Sequence, residues 1–268
     1  FYPVVKSKEK IKNSVILIIH YFGMYNKPSL KKLGISKEYN NFIIEDFSHV
    51  FPRNKLLCKN KNYKFMSLRK TGIFPIGGWA NIRTNVKPKN KIKKIFNSFI
   101  DLKFKKHKYL DKSIHNKNLK FENNYLNEFK KYESLFSLNY KNQIVEKNDL
   151  FKLAKENLIE INSVRQKNWL VAKKILKKIT PKVFLKKKLY YYFSYIICIK
   201  KRDRLLKLLR KNNIYCQVYW KIRNQYAKGS FAGYVSRHML SIPIDQRYQT
   251  NRVYIISNLA KKNVKSFR

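Results

Sequence analysis

Short apolar runs near the start of the chain predict the strands of an open α/β sheet. The near-continuous run at residues 15–22 is rich in β-branched side chains, which favours a strand buried on both faces. A helical pattern at residues 30–39 leads to the next run at residues 42–44, so these segments predict a right-handed βαβ unit. A third strand-like segment follows at residues 63–68, and a short strand at residues 79–83 comes after a Gly-Gly turn.

The rest of the chain divides by its pattern into three parts. Residues 87–148 are rich in lysine and asparagine, which indicates helices joined by solvated loops, or an insertion. Apolar residues recur at helical spacing over residues 150–178 and predict one long helix, which Pro181 ends. The last 80 or so residues predict a separate α+β unit with strands at 190–199 and 214–220 and helices at 202–211 and 249–261.

Polar side chains stand where each of the first three strands ends. His20 closes the first run, Asp46 the second, and Lys70 follows the third. Because open α/β sheets bind ligands outside the carboxyl ends of their strands, an imidazole, an acid and an amine are expected at one site. This set suggests a lysine that forms a Schiff base with a carbonyl cofactor, and burial would lower its pKa enough for attack.

The charge of the chain suggests a different function. Its 268 residues hold 61 Lys and Arg against 15 Asp and Glu, a net charge of +46. Such a surplus is typical of partners of nucleic acid, so a basic RNA-binding or ribosome-associated protein is the alternative hypothesis. The abundant Lys, Asn, Ile, Tyr and Phe are, however, what AT-rich codons encode. Arginine, which phosphate recognition favours, supplies only 12 of the 61 basic residues, so genome composition is the preferred explanation.

Cysteine and histidine positions predict neither a disulfide framework nor a metal site. Cys58, Cys198 and Cys216 form no close pair, and the histidines lack metal-ligand spacing. Reduced thiols favour a cytoplasmic protein. The longest apolar run, residues 189–199, is too short to span a bilayer as a helix, so no membrane span is predicted.

Five stretches, in this order, resemble the DegT/DnrJ/EryC1/StrS family of pyridoxal-phosphate (PLP) aminotransferases, which act on nucleotide-linked keto-sugars. They are HYFG at 20–23, IEDFSH at 44–49, SLRKT at 67–71 with PIGG at 75–78, NNIYCQVYW at 212–220, and MLSIPIDQRY at 239–248. Each is weak alone, but their order and spacing are specific, and they extend over nearly the whole chain apart from residues 87–150.

The resemblance implies an α/β fold of the PLP-dependent transferase type I class. Residues 1–150 would be the remainder of a large, mostly parallel-sheet domain, with the lysine-rich stretch at about 87–150. Residues 151–180 would form a connecting helix, and residues 181–268 a small C-terminal α/β domain.

The resemblance also assigns roles to four residues. Lys70 is implied as the catalytic lysine that binds the cofactor aldehyde, and Asp46 as the partner of the pyridine nitrogen. His49 would contact the ring or its phenolic oxygen, and Ser67 would donate to the phosphate. His20 is expected to shape the wall of the site.

The implied activity is amination of a nucleotide-linked keto-sugar in surface-polysaccharide synthesis, with glutamate as the usual amino donor and a homodimer as the assembly. Nucleic acid is a disfavoured partner. The chain opens with strand-like residues instead of Met, so it is expected to start inside a longer protein. The family's ring-stacking residue and phosphate-binding turn are then expected upstream of Phe1. If 268 residues are the whole product, it would be a truncated or inactive member.

Overall fold

A four-stranded sheet occupies the N-terminal part of the chain. The computed structural model of the protein describes residues 11–24, 40–50, 63–71, 78–81, 98–99, 101–102, 105, 118–138, 147–186, 189, 191–219, 222 and 229–266. The strands are β1 (Val15–Ile19), β2 (Phe42–Asp46), β3 (Tyr63–Ser67) and β4 (Gly78–Ala80), in that spatial order. β1, β2 and β3 are parallel, and β4 is antiparallel to β3. The predicted α/β class with a mostly parallel sheet is therefore confirmed.

On one face of this sheet, called the open face, the described residues include several exposed apolar side chains, so the prediction that β1 is buried on both faces is wrong. Register pairs place alternate residues of neighbouring strands on the same side. On the open side Val15 is 67% and Leu17 54% exposed, and Phe42, Tyr63 and Phe65 are also exposed. A parallel sheet normally has both faces covered by its crossover segments. The predicted helix at 30–39 and the connection at 51–62 both lie outside the described residues.

The opposite face of the sheet is buried, but it is not wholly apolar. Ile43 and Met66 alternate there with Glu45 and Lys64, and all four side chains are nearly inaccessible to solvent. Glu45 and Lys64 are also register partners across β2 and β3. The apolar pattern of one strand does not predict that these two charged side chains are buried. A buried charge needs a partner, and here the partner lies on another strand.

In the described residues, a short helix α1 (Leu68–Thr71) follows β3, and helix α2 (Leu119–Leu138) lies in the lysine-rich stretch. Tyr125 of α2 packs with Phe99 and Leu102 in a small buried cluster. The stretch predicted as helices and loops thus contains a regular helix with an apolar contact of its own.

The C-terminal part builds the largest core. Long helix α3 (Lys147–Leu176) is followed by a 3-10 turn and the short helix α4 (Lys182–Lys186). The remaining elements are β5 (Tyr195–Cys198), α5 (Arg202–Lys211), α6 (Phe231–His238), β6 (Met239–Ile242) and α7 (Thr250–Ser266), and β5 pairs antiparallel with β6. Helices α3, α5 and α7 pack on this two-stranded sheet through a buried core that includes Leu176, Ile197, Leu205, Leu209, Leu240, Val253 and Ile256.

Several predicted bounds in this part change. The helix at 202–211 is confirmed, and the closing helix runs on to Ser266. The strand expected at 190–199 is only Tyr195–Cys198, because the carbonyls of residues 192 and 193 accept from the side chain of Arg165 instead of a neighbouring strand. The strand expected at 214–220 is wrong for the described residues 214–219, where Gln217 forms one isolated bridge with Ser241.

A second buried cluster joins the sheet end to the C-terminal part. Phe22 and Met24, just beyond β1, pack against Phe184, Ile196 and Met239. At the centre of this junction Gly23 has a φ of +82°, and its carbonyl accepts from the amide of Tyr191. A Cβ at position 23 would lie 1.6 Å from the carbonyl oxygen of Tyr191, so only glycine fits there. The predicted division into domains at 150 and 180 stays a prediction.

Candidate active site

Asp46 and Ser67 lie on the same face of the sheet, at the carboxyl ends of neighbouring parallel strands. Asp46 is the register partner of Phe65, and Ser67 follows two residues later on the same strand. Both side chains are half-buried. The Asp46 carboxylate accepts a hydrogen bond of 2.7 Å from the backbone amide of Ser48, which fixes it at the turn after β2. A carboxylate, which the strand ends predict, and a hydroxyl, which only the resemblance implies, thus lie on the same face.

Lys70 is placed by helix α1, which begins at the residue after Ser67. Its side chain is exposed, so the expectation that burial activates this lysine is wrong. A one-turn helix directly after a strand keeps Lys70 at the same end of the sheet as Ser67. The close approach of the next strand is visible at Gly78, where a Cβ would lie 2.9 Å from the carbonyl oxygen of Met66. Gly77 lies outside the described residues.

His49 is buried among aromatic rings at this edge. Its imidazole stacks on Phe193 with centroids 4.2 Å apart and planes at 10°, and Phe22 and Tyr219 lie 5.6 and 5.3 Å away. Burial, and then the nearby charge of Lys70, lower the pKa of His49 to about 3. The imidazole is therefore neutral at physiological pH, and the influence of Lys70 ties these two predicted residues to one electrostatic environment.

His20 bonds to Glu45 on the buried side of the sheet, away from Asp46, so the expected role as a site wall is not seen. The His20 Nε2 and a Glu45 carboxylate oxygen are 3.0 Å apart, and both side chains are buried. The backbone amide of His20 donates to the carbonyl of Asp46 at 3.0 Å, and its ring lies 4.3 Å from Phe47. His20 thus fastens the ends of β1 and β2 together directly behind Asp46.

Of the aromatic residues that complete the site, sequence reasoning missed Phe193, whereas Tyr219 lies in the NNIYCQVYW stretch that carries the resemblance. Both residues come from the C-terminal part, more than 140 residues beyond His49, and no periodic pattern reports such a contact. Burial raises the pKa of Tyr219 to about 12, although a hydrogen bond with Ser241 acts in the opposite direction. Tyr21 is near Asp46: burial, and then the charge of Asp46, raise the pKa of Tyr21. Its place in the HYFG motif was the available signal.

Within the described ranges, no group of three or more His, Cys, Asp or Glu side chains is arranged to hold a metal ion. Among the helices of the same ranges, none combines the length and the apolar character needed to cross a membrane.

The fold matches solved structures of sugar aminotransferases. A DegT/DnrJ/EryC1/StrS aminotransferase from Brucella abortus superposes with a TM-score of 0.54 and 15% identity over 92% of this chain and 64% of its own. Helicobacter pylori PseC, an aminotransferase of pseudoaminic acid biosynthesis, gives a TM-score of 0.54 and 18% identity, with 94% of this chain and 67% of its own covered.

A protein of Streptococcus pneumoniae described as a sugar aminotransferase, in a pyridoxamine-phosphate (PMP) form, gives a TM-score of 0.54. It is 13% identical, with 95% of this chain and 70% of its own covered, and a PLP form of the same protein also matches. No protein-family model matches the sequence, and no curated protein is similar to it.

These matches confirm the predicted fold. The chain has the fold of the PLP-dependent aminotransferases, and many of its structural neighbours belong to the DegT/DnrJ/EryC1/StrS group. It spans 64% of the length of the Brucella protein and about two thirds of the others. The RNA-binding alternative receives no support from them.

Proposed function

We propose that this protein is a PLP-dependent aminotransferase that acts on a nucleotide-linked keto-sugar. The observation that carries the proposal is the meeting of Asp46, Ser67, Lys70 and His49 at one end of the parallel sheet. These side chains offer a carboxylate, a hydroxyl, an amine and a flat neutral ring. That donor set fits PLP, which presents a basic ring nitrogen, a phosphate, an aldehyde and an aromatic face. When bound, PLP supplies an electron-withdrawing ring and a carbonyl that carries the amino group.

Asp46 would hold the pyridine nitrogen in its protonated state. The carboxylate is half-buried and anchored by the Ser48 amide at 2.7 Å, so its orientation is set before any ligand arrives. A carboxylate near a ring nitrogen favours the positively charged form of that nitrogen, because opposite charges within a few ångströms stabilise each other. The bond between His20 and Glu45 supports this orientation from behind the strand ends.

Lys70 would bind the cofactor aldehyde through Nζ and then move a proton at that same atom. Its position on a one-turn helix at the sheet end leaves the amine accessible to a ligand. The neutral amine is the nucleophile in such chemistry and also the base that removes a proton from substrate carbon. Ser67, one residue before this helix, would donate its hydroxyl hydrogen to a phosphate oxygen.

His49 would lie against the cofactor ring as a neutral group. Because its pKa is low, it carries no positive charge that would repel the protonated ring nitrogen. Phe193 holds the imidazole from the other side by parallel stacking. His49 can therefore act as a flat wall with a single hydrogen-bond donor, in accord with the role that the resemblance implies for it.

The finer parts of the proposal concern the whole protein. We propose glutamate as the amino donor, a homodimer as the assembly, the cytoplasm as the location and surface-polysaccharide synthesis as the pathway class. Two neighbours support a sugar acceptor: the Streptococcus protein, which is named as a sugar aminotransferase, and PseC, an aminotransferase of pseudoaminic acid biosynthesis. The chain spans about two thirds of their length, so these finer parts are proposals about the whole protein.

The first test is the absorbance spectrum of the purified protein with added PLP. Lysine-bound PLP absorbs at the violet edge of the visible spectrum, so we expect a band there that survives dialysis and falls when glutamate is added. Lys70→Ala should abolish this band. Lys201→Ala is the matched control, because Lys201 is also exposed but precedes helix α5, far along the chain from the sheet end.

The proposal predicts opposite results for the two variants. Loss of the band in Lys70→Ala with an intact band in Lys201→Ala supports Lys70 as the attachment site. No dialysis-resistant band in the wild type, or bands of equal size in both variants, would contradict it. Circular dichroism of each variant shows that the fold is unchanged, which is expected because both side chains are exposed.

A further inference from the structure

Arg165 is a buried cation in the middle of helix α3 that the proposed chemistry does not use. Only 1% of it is exposed. Its Nε donates to the side-chain oxygen of Gln246 at 2.8 Å, and its Nη1 donates to the carbonyls of Tyr192 and Phe193, each at 3.3 Å. Its guanidinium also lies 5.0 Å from the centre of the Tyr191 ring. One side chain thus holds three consecutive residues of an irregular segment.

The charge of Arg165 is compensated within the same cluster. Asp245 is buried and receives two hydrogen bonds from the Arg247 side chain, at 2.6 and 2.8 Å, and one from the Arg247 backbone amide at 3.2 Å. Burial alone would raise the pKa of Asp245, but the Arg247 guanidinium and, to a smaller extent, that of Arg165 hold it well below its usual range. Asp245 therefore stays ionised beside two arginines, and its negative charge stabilises the buried guanidinium of Arg165.

The segment that Arg165 holds carries the ring that contacts the candidate site. Phe193 stacks on His49 at 4.2 Å and 10°, while its own carbonyl accepts from Arg165. Residues 191–194 form no strand, so ladder hydrogen bonds do not fix this segment. Two backbone hydrogen bonds hold it, from the amide of Tyr191 to the carbonyl of Gly23 at 3.3 Å and from the amide of Phe193 to the carbonyl of Tyr191 at 3.1 Å. Arg165 adds side-chain bonds to two carbonyls of the segment, one of them that of Phe193.

We infer that Arg165 is a positioning residue of the candidate site, which sets the Phe193 ring and through it the imidazole of His49. The relevance of this role to catalysis rests on the proposed function. The positioning of Phe193 and His49 by Arg165 does not depend on it. The C-terminal part would then contribute to the site by defining how deeply His49 is enclosed. A purely structural role for Arg165 would affect stability and leave His49 unchanged.

The test compares two buried arginines that both bond to backbone carbonyls. Arg165→Lys keeps the charge but cannot reach two carbonyls and Gln246 at once. Arg202→Lys is the matched control, because Arg202 is also buried and donates to a backbone carbonyl, that of Ser236 at 3.0 Å in helix α6. The readout is the rate at which diethyl pyrocarbonate modifies His49 in the cofactor-free protein, measured peptide by peptide with mass spectrometry.

Arg165→Lys should speed modification of His49 by about tenfold, because a small rise in local opening exposes the buried imidazole. Arg202→Lys should leave the rate within about twofold of the wild type. Phe193→Leu, which removes the stacked ring and keeps Arg165, should reproduce the faster rate. Combining it with Arg165→Lys should add little, since both changes act on the same contact.

Equal rates in Arg165→Lys and wild type would overturn the inference, and so would equal acceleration in both arginine variants. The result is independent of PLP. If His49 responds to Arg165→Lys while the wild type forms no lysine-bound PLP band, the positioning role stands and the proposed function fails. If the band forms and His49 does not respond, the proposed function stands and the positioning role fails.

Discussion

The two halves of the molecule bury their apolar residues to very different extents. In the C-terminal part, helices α3, α5 and α7 close over β5 and β6, and Leu209 is fully buried. In the N-terminal sheet, one face is open, and Leu17 remains 54% exposed in the middle of β1. The same residue type thus meets a packed core in one half and solvent in the other.

This difference separates stability from chemistry. The C-terminal part has the apolar contacts that resist unfolding, whereas the sheet end holds the polar side chains of the candidate site. The sheet end is held by a few specific contacts, such as the bond between His20 and Glu45 and the junction at Gly23. Substitutions in the two halves should therefore differ in size and in kind.

The largest effect is expected from Leu209→Ala in the closed core. Removing three buried carbons leaves a cavity that neighbouring helices fill only in part, at a cost of about 4 kcal/mol in the free energy of unfolding. Urea unfolding followed by circular dichroism measures this loss. A loss below about 1 kcal/mol would mean that the core around α5 is loosely packed.

The next effect is expected from His20→Leu behind the site. It removes the partner 3.0 Å from the buried Glu45 carboxylate and should cost about 3 kcal/mol. A double-mutant cycle with Glu45→Gln isolates the pair and should give a coupling energy above about 0.5 kcal/mol. Strictly additive losses would show that the two side chains do not act together.

A smaller effect depends on pH and comes from His49. Its pKa is about 3 in the folded protein and near 6.5 in the unfolded chain, so the unfolded state takes up the proton first as the pH falls. The free energy of unfolding should therefore drop by about 2 kcal/mol between pH 7.5 and pH 5 on account of this residue. His49→Gln should lack this part of the pH dependence, and identical pH profiles for both proteins would contradict the low pKa.

The smallest effect is expected from Leu17→Ala on the open face, the counterpart of Leu209→Ala. Because this side chain is mostly solvated, its truncation should change the free energy of unfolding by less than about 0.5 kcal/mol. The same urea titration measures it. A loss above about 1.5 kcal/mol would show that the open face is covered by protein in solution, and the contrast between the halves would disappear.

In both halves, local sequence patterns predicted where helices and strands lie better than they predicted which elements contact each other. Apolar runs located β1, β2 and β3, and leucines at helical spacing located Arg202–Lys211 to the residue. Both patterns arise because a buried face requires apolar residues at regular positions, and these positions can be identified in the sequence. The segment at 214–219 alternates as a strand does, but only Gln217 pairs with β6. Pairing depends on a neighbour that the local pattern does not contain.

The strand ends predicted one part of the candidate site, and the resemblance implied another. Asp46 and Lys70 follow from their places at the ends of parallel strands, whereas Ser67 and His49 come from the resemblance. Phe193 stacks on His49, which is 144 positions earlier in the chain. Arg165, which donates to the carbonyl of Phe193, is 28 positions earlier. These contacts depend on how the two halves meet, and no spacing rule reports that.

The junction between the two halves restricts which residues position 23 can hold during sequence divergence. The carbonyl of Tyr191 occupies the space of a Cβ at this position, and the φ of +82° disfavours every other residue. In a saturation library at position 23, glycine should be the one residue that folds. Any lineage that preserves this way of joining the sheet to the C-terminal part would have to inherit that glycine, however far the surrounding positions drift.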